Sequence, residues 1–112
     1  MDLEHTQTLS RWLDGRADRE TTCLVDGGLP VSWAELARRS RSLATGLAEL
    51  GVKQGDRVAL WLPNRTAWLA AFLACARLGA IAVAINTRFR SAEVGDLLHR
   101  SGAVLLVYWP GY

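Results

Sequence analysis

The chain has 112 residues, half of them hydrophobic, and its 13 basic and 11 acidic side chains give a net charge of +2. This balance is too even for a polyanion-binding protein, so we expect no nucleic-acid partner. The length suits about one small domain with a buried core. Residues 1–4 show no secretory leader, so we expect a cytoplasmic protein in which Cys23 and Cys75 are reduced.

A short helix and a β-hairpin are predicted for the first third of the chain. The apolar residues at helical spacing are Leu9, Trp12 and Leu13. With Thr8 as the cap, they predict a helix that ends between residues 14 and 17. Two β-like runs, 22–25 and 29–32, flank Gly27-Gly28, which lacks a following basic residue and predicts a turn, not a phosphate loop.

A long helix is predicted after the hairpin. Ser32 and Glu35 have the spacing of a capping box, in which the Ser32 hydroxyl accepts from the Glu35 amide and the Glu35 side chain returns the bond. We therefore assign Ser32 to capping and not to catalysis. The predicted buried face comprises Leu36, Leu43, Leu47 and Leu50. The opposite side carries Arg38, Arg39 and Arg41, which indicate a solvated face more than an anion-binding patch.

One complete βα unit follows. Gly51 closes the helix after Leu50, and Val52 is placed to pack back on Leu47. Gly55-Asp56 predicts a turn, and residues 58–62 form a short apolar run typical of a buried strand. Pro63 stops the strand, and Asn64 is better explained as the N-cap of the next helix than as a ligand.

The next helix is apolar at every position from Ala67 to Ala76. Such a helix needs cover nearly all round, which a chain of this length can hardly supply. We therefore expect a large exposed apolar patch and self-association of the isolated chain. A membrane span over 67–85 is the alternative, but a central Arg77 costs roughly 2.5–3.5 kcal/mol and Gly79 ends the helix before a strand at 81–85. We expect no transmembrane segment.

A third long helix and a last strand complete the pattern. Ser91 is its predicted cap, and the buried stripe comprises Val94, Leu97 and Leu98. Gly102 ends the helix before the apolar strand 103–108. The fold class is therefore α/β, with a partial, mostly parallel sheet and flanking helices preceded by a short helix and a hairpin. His5 and His99 lack partners at ligand spacing, so no metal site is predicted.

Five short pieces in order make the chain resemble a known family. They are LAELGV at 47–52, GDRVA at 55–59, LPN at 62–64, LGA at 78–80 and INTR at 85–88. In this order they resemble the N-terminal part of the AMP-forming acyl-adenylating enzymes, which include acyl-CoA synthetases, luciferases and peptide-synthetase adenylation domains. The resemblance covers roughly residues 9–108. Residues 1–112 are thus interpreted as an N-terminal fragment of the family's large domain, without a complete second domain.

The resemblance implies an acyl-CoA synthetase that converts a carboxylate and ATP to an acyl-adenylate and then transfers the acyl group to CoA. ATP, Mg²⁺ and CoA are implied for the full-length parent. The family's Ser/Thr/Gly-rich phosphate loop and its catalytic lysine are absent from this sequence, so we expect no catalytic residue here and no activity from the chain alone. The alternative is a non-catalytic α/β interaction module or remnant. The expected partner is the rest of the parent enzyme or a hydrophobic docking partner.

Arg88 and Arg90 are the candidate binding residues. They follow the strand at 81–85, and ligands of open parallel sheets bind beyond the carboxyl ends of strands. In CoA ligases that this chain resembles, the corresponding loop lies near the nucleotide end of CoA. The resemblance therefore implies contact of Arg88, and less directly Arg90, with a CoA phosphate. The alternative, favoured because no phosphate cradle accompanies them, is a structural salt bridge.

Overall fold

Helices cover both faces of a three-stranded parallel sheet in the computed structural model, which describes residues 8–110. The elements are α1 (Leu9–Asp14), β1 (Thr22–Asp26), β2 (Leu29–Ser32), α2 (Trp33–Glu49), β3 (Arg57–Trp61), α3 (Thr66–Leu78), β4 (Ile81–Ala84), α4 (Ser91–Ser101) and β5 (Leu105–Tyr108). β1 and β2 form an antiparallel hairpin, and β3 lies between β4 and β5, parallel to both. The predicted fold class is confirmed.

The central strand β3 divides the core into two layers. Val58 and Leu60 pack against α2 and α3, whereas Ala59 and Trp61 pack against α4 through Val94. This alternation follows from the two-residue period of a strand, and it buries β3 on both faces. A third cluster under α1 joins Leu13, Leu36, Ala37, Ala70 and Leu73.

The expectation that the chain cannot cover its apolar helix is wrong. α3 packs against α1, α2 and β3 together, and only Ala67 among residues 67–76 is exposed. Arg77 is 13% exposed and donates to Asp14 at 2.7 Å and to the Ser40 hydroxyl at 2.9 Å. Three helices therefore meet at one arginine. Within the described residues, no helix is long and apolar enough to cross a membrane.

The large apolar side chains that are exposed belong to elements other than α3. Leu43 and Leu50 are 37% and 71% exposed, which corrects their assignment to the buried face of α2. Leu36 and Leu47 are buried as predicted, and Val52 joins Leu47 in the core. The unburied leucines lie on the flank of α2 beside β5, where no further strand covers them in the described part of the chain.

Three of the predicted caps need correction. The Ser32 hydroxyl accepts from the Glu35 amide at 3.1 Å as predicted, but the Glu35 carboxylate pairs with Arg38 and Arg39 instead of returning the bond. α3 begins after Arg65, so Asn64 is exposed and is not its cap. In α4 the cap position belongs to Arg90, and Ser91 is the first helical residue.

Candidate functional site

A cleft of about 440 Å³ lies at the carboxyl edge of the parallel sheet, between the segments that follow β3 and β4. Its lining residues are Leu62, Pro63, Asn64, Trp68, Ala84, Ile85, Asn86 and Thr87. Two carboxamides and a hydroxyl therefore share the cleft with apolar walls. This composition, at the end of a sheet where ligands bind in open α/β folds, makes the cleft the candidate functional site.

The loop after β4 is held in a turn that leaves its arginines in solvent. The Asn86 side-chain oxygen accepts from the Arg88 amide at 2.9 Å, and the Asn86 carbonyl accepts from the Phe89 amide at 3.0 Å. Phe89 packs on the core layer beneath α4. Arg88 and Arg90 are exposed, and across residues 8–110 neither guanidinium forms an ion pair. The turn thus presents two cations beside the cleft.

The opposite wall of the cleft is anchored by the hairpin. Asp26, at the end of β1, accepts from the Thr66 hydroxyl at 2.6 Å, from the Thr66 amide at 3.0 Å and from Arg65 Nε at 2.8 Å. Thr66 is fully buried. These hydrogen bonds, those of Thr66 first, lower the pKa of Asp26 to about 2. Asp26 therefore supplies the acceptor that the N-terminus of α3 lacks locally.

A second cavity, of about 500 Å³, separates the hairpin from α3. Its lining residues are Leu24, Val25, Asp26, Gly27, Asn64, Arg65, Trp68 and Leu69. Asn64 and Trp68 border both cavities and form the partition between them. The Trp68 ring stacks on Phe72 with centroids 5.5 Å apart, which fixes the indole against the helix.

The remaining sequence candidates play local roles. His99 is exposed in the last turn of α4, and residues 8–110 contain no cluster of three His, Cys, Asp or Glu that could hold a metal. His5 lies outside the described residues. Cys23 is half-buried, Cys75 is buried, and both are free thiols whose pKa values are raised by burial.

The arginines of α2 lie on an exposed face, as predicted for a solvated side of the helix. Arg38 and Arg39 pair with Glu35, and Arg41 approaches Asp14 at 3.2 Å. Arg38 and Arg39 share the Glu35 carboxylate, and Arg41 shares Asp14 with Arg77, so acidic neighbours offset part of the positive charge on this exposed face. The pairs are exposed and contribute little to stability.

Sequence reasoning missed the role of Asp26 and its two partners. The pattern assigned this residue to the hairpin turn, because Asp before Gly27-Gly28 suits a turn. Its partners lie about 40 residues further along the chain, at Arg65 and Thr66. No local signal pointed to Asp26, because Asn64 offers a plausible cap in the sequence and only the structure shows that α3 begins after Arg65, which makes no side-chain cap bond.

The fold and cleft define an α/β unit with a candidate ligand site at the carboxyl edge of a parallel sheet. The model of the AMP-binding enzyme family matches residues 11–110. The chain belongs to this family, and the resemblance stated from the sequence is confirmed.

Relatives and solved structures agree with this membership. A feruloyl-CoA synthase from an Amycolatopsis species is 40% identical over 106 residues, which are 93% of this chain and 22% of the synthase. The N-terminal domain of FACL13 from Mycobacterium tuberculosis superposes with a TM-score of 0.82 at 31% identity, over 92% of this chain and 27% of that one. O-succinylbenzoate CoA synthetase of Bacillus subtilis, in complex with AMP, superposes with a TM-score of 0.81 at 34% identity, over 90% of this chain and 27% of that one. The chain spans about a fifth of the length of the curated relatives it matches.

Proposed function

We propose that this chain acts as the N-terminal portion of an ATP-dependent acyl-CoA synthetase. In the parent enzyme a carboxylate oxygen attacks the α-phosphorus of ATP and expels pyrophosphate. The CoA sulfur then attacks the acyl carbon and expels AMP, which leaves the thioester. The observation that carries this proposal is the family match over residues 11–110, joined to 40% identity with a feruloyl-CoA synthase.

The proposal includes that the chain is inactive alone and works in the cytoplasm. The sequence has no Ser/Thr/Gly-rich run ending in lysine that could cradle ATP phosphates. Gly27-Gly28 forms the hairpin tip and is not such a loop. ATP and Mg²⁺ are therefore assigned to the longer parent, in which Mg²⁺ offsets phosphate charge. The two free thiols suit a reducing compartment.

A grafted enzyme tests the proposal. In this grafted synthase the matched segment of the Amycolatopsis feruloyl-CoA synthase is replaced by that of the present chain. We expect the grafted synthase to form feruloyl-CoA and to catalyse ferulate-dependent exchange of pyrophosphate into ATP. The isolated chain should give only the no-enzyme background in the exchange assay.

Two results would contradict this assignment. Carboxylate-dependent exchange by the pure isolated chain would refute its inactivity. A grafted synthase that folds, as judged by a cooperative melt, yet makes no thioester would favour the non-catalytic α/β module. The parent synthase without the graft, purified in parallel, controls for assay conditions.

Contact of Arg88, and secondarily Arg90, with a CoA phosphate is the finer part of the proposal. Both side chains are exposed beside the cleft, and their backbone is held by Asn86 and Phe89. A planar guanidinium donates two hydrogen bonds at once to phosphate, and an exposed, unpaired one needs no ion pair broken first. The residues present thus suit a CoA phosphate in charge and in hydrogen-bonding capacity. The supporting fact is their position after β4, where no acid pairs with them within the described range.

Substitution separates CoA binding from adenylation. In the grafted synthase, Arg88→Gln should raise the KM for CoA by about tenfold to a hundredfold, because a charge-assisted hydrogen bond contributes roughly 1.5–3 kcal/mol. Pyrophosphate exchange, which needs no CoA, should be unchanged. Arg38→Gln removes an exposed arginine on α2 and serves as the matched control. An unchanged KM for CoA in Arg88→Gln, with a lowered Tm, would instead assign the arginine to a structural salt bridge.

A further inference from the structure

The middle of the loop after β4 is exposed, although both of its ends are anchored. At one end Ile85 is buried, and its amide donates to the Leu60 carbonyl at 3.0 Å. At the other end Phe89 packs on the core layer beneath α4. Residues 86–88 between these anchors are exposed. The conformation of this middle part therefore depends on the hydrogen bonds of the turn and not on burial.

Asn86 accepts both hydrogen bonds of this turn. Its side-chain oxygen accepts from the Arg88 amide at 2.9 Å, and its carbonyl accepts from the Phe89 amide at 3.0 Å. Asparagine is also common at positive φ, but among residues 8–110 only glycines have a positive φ. The side-chain bond to the Arg88 amide, which asparagine forms readily in turns, is therefore what distinguishes asparagine from alanine at this position.

From this geometry we infer that Asn86 is a positioning residue for the contact of Arg88 with a CoA phosphate. The inference rests on the proposed function, which assigns that contact to Arg88. Asn86 acts through the main chain of Arg88. Its side-chain oxygen holds the Arg88 amide in the turn, so the guanidinium extends from a fixed point of the loop beside the cleft.

Holding the loop before CoA binds lowers the entropic cost of the contact. A loop that samples many conformations loses that freedom when a ligand contacts it, and the loss opposes binding. The Asn86 side-chain bond removes part of this freedom in the unliganded chain. Arg90 depends on a different bond, because its amide donates to the Glu93 carboxylate at 3.3 Å at the start of α4. The effect of Asn86 is thus directed at Arg88.

Substitution of Asn86 in the grafted synthase tests the inference. Asn86→Ala removes the side-chain acceptor and should raise the KM for CoA about two- to tenfold. This rise is smaller than that of Arg88→Gln, because a neutral hydrogen bond contributes less than a charge-assisted one. The kcat at saturating CoA should change less than about twofold, since the lost bond affects binding. Asn86→Ser keeps a hydroxyl that forms the same turn bond more weakly, and it should recover part of the KM.

Two comparisons separate positioning from other roles. In the Arg88→Gln background, Asn86→Ala should add little to the KM for CoA, because two residues that act through one contact are not additive. Asp56→Ala is the matched control. The Asp56 carboxylate accepts from the Lys53 amide at 2.8 Å in an exposed turn before β3, at the amino edge of the sheet. Loss of that turn bond should leave the KM for CoA equal to that of the unsubstituted graft.

Each result supports or overturns the inference. An unchanged KM for CoA in Asn86→Ala, in a graft where Arg88→Gln raises it, would overturn the positioning role alone. An equal rise with and without Arg88 would show that Asn86 contacts CoA itself, which also overturns positioning. A lowered Tm with equal losses in kcat and KM, and no recovery by Asn86→Ser, would leave Asn86 as a structural turn residue. If Arg88→Gln itself leaves the KM unchanged, the CoA contact in the proposed function fails too.

Discussion

Replacing Thr66 by valine tests the link between the hairpin and α3. The Thr66 hydroxyl donates to the Asp26 carboxylate at 2.6 Å, and the Thr66 amide donates to the same oxygen at 3.0 Å. Thr66 is fully buried, and valine has nearly the same shape. The substitution therefore removes one charge-assisted hydrogen bond and leaves the amide bond in place.

The expected loss follows from the strength of that bond. A hydrogen bond to a charged group contributes about 1.5–3 kcal/mol to the free energy of unfolding. In a domain of little more than 100 residues, each kcal/mol shifts the Tm by about 4 °C. Thr66→Val should thus lower the Tm by about 6–12 °C.

Acid should remove the difference between the variant and the unsubstituted chain. The folded-state pKa of Asp26 is about 2, below its ordinary value of 3.8. The stability due to ionised Asp26 is therefore complete above pH 3.8 and is lost as the pH falls through about 2. Thr66→Val removes one hydrogen bond to this carboxylate. The difference in free energy of unfolding between the variant and the unsubstituted chain should therefore be constant near neutral pH and should narrow between about pH 4 and pH 2.

Urea unfolding of the full chain, followed by circular dichroism from pH 7 to pH 2, measures both effects. Thr45→Val is the matched control, because the Thr45 hydroxyl donates to the Arg41 carbonyl on the exposed side of α2. Loss of this hydrogen bond should cost under about 0.5 kcal/mol. The reasoning is refuted if Thr66→Val is no less stable than Thr45→Val. It is also refuted if the gap between Thr66→Val and the unsubstituted chain does not change with pH.

Three further predictions test the local assignments by the same unfolding assay. Ser32→Ala should cost about 0.5–2 kcal/mol through loss of a helix cap, and the grafted synthase should keep its turnover per folded molecule; a large loss of rate with unchanged melting would contradict the capping role. Arg77→Met should lower the free energy of unfolding by about 1–2 kcal/mol, which is less than for a buried ion pair because Asp14 is 45% exposed. An unchanged Tm would contradict the role of Arg77 in linking α1, α2 and α3. Leu60→Ala should cost about 2–5 kcal/mol by leaving a core cavity, whereas Leu50→Ala should stay within about 0.5 kcal/mol; equal losses would contradict the burial assigned to β3.

Local sequence was sufficient for most of the helices and strands. Thr8 and Ser32 accept from amides three residues later, so their capping depends only on neighbours in the chain. Gly79 has a positive φ of 68° and ends α3 where the pattern predicts. The buried strand β3 was readable because an apolar run between a turn and Pro63 has few alternatives. The candidate loop at 86–90 could be placed for the same reason, since it must follow a strand of a parallel sheet.

Prediction was wrong where the deciding partner is distant in sequence. Asn64 has the right chemistry for a cap. The amide of Thr66, the first residue of α3, instead donates to the Asp26 carboxylate because the hairpin packs against this helix. Leu43 was assigned to the core by its spacing, yet periodicity does not tell how wide a face the neighbouring elements cover. The walls of the cleft likewise depend on two segments more than 20 residues apart, brought together by the pairing of β3 with β4.

The sequence by itself determined the class of fold, the family and the order of the elements, because these depend on caps, turns, hydrophobic period and short motifs that act over a few residues. The tertiary structure alone decided that α3 is covered within the chain, that Asp26 locks the hairpin to α3, and that the open apolar surface lies beside β5. These features arise from contacts across tens of residues. Their free energy depends on which surfaces are in contact in the folded chain, and a pattern over a few residues does not specify those contacts.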